Sequence, residues 1–221
     1  MSWESTVEYY RLANEETRAR LGGLHSAPLL LWSADFAEIE TLQVDGSWDE
    51  AGARLASAAQ ALEGAGAELL VLCTNTMHKV ADAIESSVSI PLVHIVDSVA
   101  RAVAPSETVQ VGLVGTRFTM EDPFWADRMS RYGIEVRVPE PEDREVVHQI
   151  IYDELCMGVF RPESRAALVQ VIEKLAVAGA GGVVLGCTEI ELLLNQGDTA
   201  VPLFPTTALH VRHAVDAALS D

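Results

Sequence analysis

The sequence predicts an α/β protein of two similar lobes, each a parallel sheet flanked by helices, related by pseudo-two-fold symmetry. Short apolar runs alternate with amphipathic stretches about 10–15 residues long, the pattern of parallel strands joined by crossover helices. Two segments also repeat one design. Ala65-Gly66-Ala67 leads into an apolar run and Cys73-Thr74-Asn75-Thr76. Ala178-Gly179-Ala180 leads into another and Gly186-Cys187-Thr188-Glu189. No long linker or low-complexity stretch divides the chain. The lobes are expected over 1–104 and 105–205, with a closing helix over 206–221 returning to the first.

Each element follows from its local pattern. Val7 to Leu21 is expected as a helix stopped by Gly22-Gly23. Pro28 to Ser33 (Pro-Leu-Leu-Leu-Trp-Ser) reads as a buried strand. Trp48 to Glu63 has helical spacing and ends at Gly64, Glu68 to Cys73 is a strand, and Thr76 to Ser87 a helix. Ile90 to Ile95 is a strand opened by Pro91, and Ser98 to Ala104 a helix that stops at Pro105. In the second half Val109 to Val114 is a strand, Glu121 to Tyr132 a helix and Ile134 to Val138 a short strand. Asp143 to Cys156 and Pro162 to Ala178 are helices, the second with Pro162 in its first turn. Val183 to Leu185 is a strand, Glu189 to Asn195 a helix, Leu203-Phe204 a short strand and Thr207 to Leu219 the last helix.

The halves differ at their starts. Val111-Gly112-Leu113-Val114-Gly115-Thr116 is a strand running into a Gly-Thr turn. The N-terminal half opens at Met1-Ser2-Trp3-Glu4-Ser5-Thr6, which corresponds to the turn after such a strand. The first strand of the N-terminal lobe is therefore expected to be missing.

Composition narrows the partners. Among 221 residues, 15 basic against 33 acidic give a net charge of −18, which disfavours nucleic acid or an anionic membrane. No apolar run approaches the roughly 20 residues that span a bilayer. The N-terminus lacks the basic-then-apolar order of a signal peptide. Three widely spaced cysteines form neither a disulfide framework nor a metal-ligand set, and a reducing cytoplasm suits free thiols.

In an open parallel sheet, ligands bind beyond the carboxyl ends of the strands. Cys73 and Cys187 both fall there, each before a helix. Free N–H groups and the helix dipole at that point are expected to favour thiolate. They can also hold a carboxylate, with Thr74, Asn75, Thr76, Thr188 and Glu189 adding polar groups. Cys156 lies within a helical run and reads as structural.

With Cys-Thr-Asn-Thr at 73–76 and Gly-Cys-Thr-Glu at 186–189, the chain resembles the aspartate/glutamate racemase family, most closely its broad-specificity amino-acid racemases. Met1–Arg11, Leu21–Ser26, Met77–Asp82 and Ile151–Cys156 carry the likeness across nearly the whole chain. The resemblance implies cofactor-independent racemisation of an amino acid, aspartate/glutamate or broader, by two opposed thiol bases, here Cys73 and Cys187. It implies an α-carboxylate held at Thr74, Asn75 and Thr76, with Thr116, Thr188 and Glu189 lining the site. It also implies a homodimer. Ser2 and Ser5 belong to the first-lobe turn, where helix capping is an equal use for them. Aspartate-specific relatives carry an Arg after the second strand, and Ser33-Ala34-Asp35-Phe36 offers none. Where relatives place a Lys for a side-chain carboxylate, the nearest cation is Arg161. A related isomerase or decarboxylase (maleate isomerase, arylmalonate decarboxylase, hydantoin racemase) or an inactive carboxylate-binding protein are the alternatives.

Overall fold

The computed structural model describes residues 1–106 and 108–220. Its backbone divides into two compact units, one of Met1–His94 with the residues from Val211 onward, the other of Ile95–His210.

In the first unit, helix α1 (Trp3–Leu21) starts earlier than its apolar spacing suggests because Ser2 caps it. The Ser2 hydroxyl accepts the Ser5 N–H at 3.1 Å, and the Thr6 hydroxyl donates to the Ser2 carbonyl at 3.2 Å. At the other end Gly22, at φ 76°, turns the chain out of the helix.

The next stretch departs from expectation. Pro28 to Ser33 forms no strand, and Leu29, Leu30, Leu31 and Trp32 are 51, 51, 62 and 39 % exposed. A strand needs a neighbour for its backbone groups and a face to bury. Among the described residues no strand pairs with this run. A helix not expected from the sequence follows, α2 (Phe36–Val44), begun by Asp35, whose carboxylate accepts the Ala37 N–H at 3.1 Å.

Helix α3 (Trp48–Gly64) leads to β1 (Leu70–Val71). The helix expected over 76–87 is a 3₁₀ segment (Thr76–Val80) followed by α4 (Ala81–Glu85). Strand β2 (Leu92–Val93) then pairs with β1 in parallel, Leu70 opposite Leu92 and Val71 opposite Val93. Ile39, Leu55, Leu70, Met77 and Ile84 form the core of this unit.

The second unit opens with α5 (Ile95–Val103), followed by β3 (Gln110–Gly115), α6 (Arg117–Glu121) and α7 (Phe124–Ser130). Asp122-Pro123 separates α7 from α6, so the helix expected over 121–132 starts only at Phe124 and ends at Ser130. After β4 (Glu135–Arg137) comes α8 (Pro141–Gln149), which widens into a π turn (Ile150–Glu154) and tightens into a 3₁₀ turn (Leu155–Met157). Then come α9 (Pro162–Val177), β5 (Val183–Gly186), α10 (Thr188–Leu193), β6 (Leu203–Pro205) and α11 (Thr206–Leu219).

The four strands of this unit are parallel in the order β4-β3-β5-β6. Their side chains alternate as the pleat requires. Val114, Val183 and Leu185 face Leu168, Ile172 and Leu175 of α9, while Val111, Leu113 and Val184 face Val96, Val99, Trp125 and Met129 of α5 and α7. This packing assigns α5 to the second unit. Beyond His210, α11 puts Val211 and Val215 against Tyr9, Leu12, Val71 and Cys73 in the first unit.

Candidate active-site residues

Strand order in the second unit reverses between β3 and β5, the position where open α/β sheets take their ligands. The register sets Gly115 opposite Gly186, so Thr116 and Cys187, the next residues, leave the sheet side by side. Glycine is needed for that approach. A methyl group on Gly115 would lie 2.8 Å from the Gly186 carbonyl oxygen, and one on Gly186 would lie 3.0 Å from that of Val114. Gly115→Ala is therefore expected to cost about 2 kcal/mol. Thermal denaturation should show it as a fall of roughly 4–8 °C in Tm.

Thr116 caps α6, its hydroxyl accepting the Thr119 N–H at 3.3 Å. Cys187 is at the N-cap of α10, with Thr188 and Glu189 behind it, and all three are buried. The Cys187 thiol donates to Glu189 Oε2 at 3.0 Å. Burial pushes this thiol well above the ordinary range, and the Glu189 carboxylate and then Cys156 push it further. Cys156 is thus more than a distant core residue, since it packs against the same cluster as Cys187.

In the first unit Cys73 follows β1 and is half-buried, its thiol donating to the Val71 carbonyl at 3.5 Å. Burial raises it to about 12, opposed by the amino terminus of Met1, whose nitrogen donates to the Cys73 carbonyl at 3.4 Å. Thr74, Asn75 and Thr76 are buried directly after it. His78 Nδ1 lies 2.7 Å from the Thr74 carbonyl and so carries the proton, pinning the turn. Its ring packs edge-on to His94, centroids 4.4 Å apart, and both histidines are buried.

The expectation that helix termini depress both thiols is corrected by these surroundings. The segment after Cys73 is a 3₁₀ turn, α10 has a single turn and a half, and desolvation outweighs what such short dipoles return.

The remaining expected residues fall as follows. Ser2 and Ser5 are buried together at the α1 cap. Arg161 is exposed and pairs with Glu154 at 3.4 Å, where the Ser164 hydroxyl also donates. His148 was not foreseen. Its Nδ1 accepts the Arg117 N–H at 3.3 Å, its ring rests on Tyr152 with centroids 4.7 Å apart, and burial and Arg117 lower its pKa. Among the described residues no group of three His, Cys, Asp or Glu could hold a metal ion, and no helix is long and apolar enough to cross a membrane.

Comparison with known proteins gives these residues a context. The Asp/Glu/Hydantoin racemase family model matches residues 1–214. The crystal structure of a candidate Asp/Glu racemase from Yersinia pestis superposes with a TM-score of 0.92 at 51 % identity, covering 100 % of this chain and 96 % of that one. An aspartate racemase homologue from Pyrococcus horikoshii OT3 gives 0.84 at 33 % identity, covering 98 and 95 %. Glutamate racemase of Roseiflexus sp. is 33 % identical over 150 residues, 67 % of this chain and about half, 54 %, of that enzyme.

Proposed function

Because the chain belongs to the Asp/Glu/Hydantoin racemase family, we propose that it interconverts the L and D forms of an amino acid without a cofactor, using Cys73 and Cys187 as its two acid–base groups. The observation that carries this reading is the matched placement of the thiols. Each follows a parallel strand and precedes a turn of buried hydroxyl-bearing residues: Thr74 and Thr76 in one unit, Thr188 in the other.

The chemistry asks one thiolate to remove the α-proton while the other thiol gives a proton to the opposite face. An α-proton is a very weak acid, so an effective base must itself be reluctant to stay ionised. Burial makes both thiols so. The electron pair left at the α-carbon spreads onto the substrate carboxylate, which the Thr74, Asn75 and Thr76 turn is suited to hold. Arg161 faces Glu154, so a substrate side-chain carboxylate would have to displace that pair. Broad acceptance of small and neutral side chains follows more directly than strict preference for aspartate.

The test is exchange in D₂O. Each enantiomer of aspartate, glutamate and a panel of neutral amino acids is incubated with the full chain, and the α-proton NMR signal and circular dichroism are followed. At least one amino acid should gain deuterium and change hand. If none does, the racemase assignment is lost.

A further inference from the structure

We propose that His78 is a positioning residue for the substrate carboxylate, holding back the carbonyl groups of the turn that the racemase reading, on which this rests, assigns to that anion. A peptide turn carries a carbonyl oxygen for every N–H. An oxygen facing a bound carboxylate repels it, and burial leaves that repulsion poorly screened. Thr74, Asn75 and Thr76 are all buried, so the turn suits an anion only if its carbonyls are turned away.

One residue turns two of them. The His78 backbone N–H donates to the Asn75 carbonyl at 3.1 Å, and the ring N–H at Nδ1 donates to the Thr74 carbonyl at 2.7 Å. In a trans peptide the C=O and the following N–H point in opposite directions. Drawing both oxygens toward His78 therefore aims the Asn75 and Thr76 N–H groups to the other side of the turn. His94 fixes the ring that takes part. Strands β1 and β2 run parallel and in register, so the turn after Cys73 and His94 leave the same end of the sheet. The two rings meet with centroids 4.4 Å apart and planes at 62°, on residues each 3 % exposed. A ring so enclosed is held in one rotamer.

Substitution at position 78 keeps the backbone N–H, so side-chain variants isolate the ring. His78→Asn sets an amide N–H at the same number of bonds from Cα as Nδ1, while His78→Leu and His78→Phe fill the space without a donor. The amino acids that the parent protein racemises are assayed on each variant by circular dichroism. The variants without a donor should raise KM about tenfold, the worth of one buried hydrogen bond. The factor should be the same whatever the side chain, because each substrate brings the same carboxylate. His78→Asn should remain within about threefold of the parent KM. A role in folding alone lowers the active fraction, and so kcat and Tm, and leaves KM where it was; that result overturns the proposal. So does an asparagine variant whose KM rises about tenfold, which decides the matter even if the other variants do not fold. A parent protein that racemises nothing removes the racemase reading itself, whereas a working parent beside donor-less variants of unchanged KM removes only the role of His78.

Discussion

Cys73→Ser and Cys187→Ser are each expected to lower racemisation by about a thousandfold, within the range that general acid–base groups supply. Serine keeps the size and hydrogen-bonding character of the thiol, so folding should persist. A buried hydroxyl, however, is too weak an acid to form the anion that takes an α-proton. The losses should be alike in the two variants, because inversion needs a group on each face. They should also be non-additive, the double variant being little worse than either single one, since removing one base already prevents inversion. Circular dichroism at a fixed wavelength measures the rate directly. If either serine variant turned over at the parent rate, the assignment of that cysteine would be wrong.

Glu191→Ala is expected to destabilise the protein by about 3 kcal/mol. Glu191 Oε1 accepts the Thr207 N–H at 2.8 Å, the Thr207 hydroxyl at 3.0 Å and the Thr206 hydroxyl at 3.1 Å. A side chain of α10 thus caps α11, and alanine leaves these donors without it. Burial raises the carboxyl from 4.5 to about 8, outweighing the hydrogen bonds that pull the other way. The folded state therefore binds a proton that the unfolded chain releases between these values. This contribution is complete below pH 4.5 and is lost as pH rises toward 8. Glu191→Gln keeps the accepting oxygen and removes the titration. Its Tm should stay near the parent value at low pH and decline less between pH 5 and pH 8. An identical decline in both proteins would assign the pH dependence elsewhere.

What the sequence made legible follows a physical division. Strands β3 and β5 lie in the middle of a four-stranded sheet with both faces covered, and buried parallel strands show as nearly unbroken apolar runs. They were read within a residue of their true ends. The run at 28–33 has the same local signature but pairs with no strand among the described residues, and a sequence pattern cannot report whether a partner exists. Helix α2 has apolar residues at five of its nine positions, but it is short and its start rests on a single Asp35 cap, too brief a stretch for the helical period to stand out. The helix expected over 143–156 is right in extent. Its widening at 150–154 leaves no trace in apolar periodicity.

The candidate site divides in the same way. Cys73, Cys187 and the polar residues after them could be named because a repeated motif marks the ends of strands. Their electrostatic state could not, because desolvation depends on what folds over them. The Cys187–Glu189 pair was within reach as an i, i+2 spacing at a helix start, but spacing does not show that the acid turns back toward the sulfur. His148 is beyond such reading, since its tie to the Arg117 N–H joins positions 31 residues apart.

The exposure of Leu29, Leu30, Leu31 and Trp32 bears on how molecules of this protein are expected to meet one another. An uncharged apolar run facing water invites self-association, while a net charge of −18 holds copies apart. The two forces respond oppositely to salt. Repulsion between copies reaches about 10 Å at 0.1 M ionic strength and only about 3 Å at 1 M. Excluded salts such as sulfate strengthen apolar contact over the same range. A concentrated sample is thus expected to stay dispersed where ions are few and to cluster where they are many, which light scattering across a sulfate series would read.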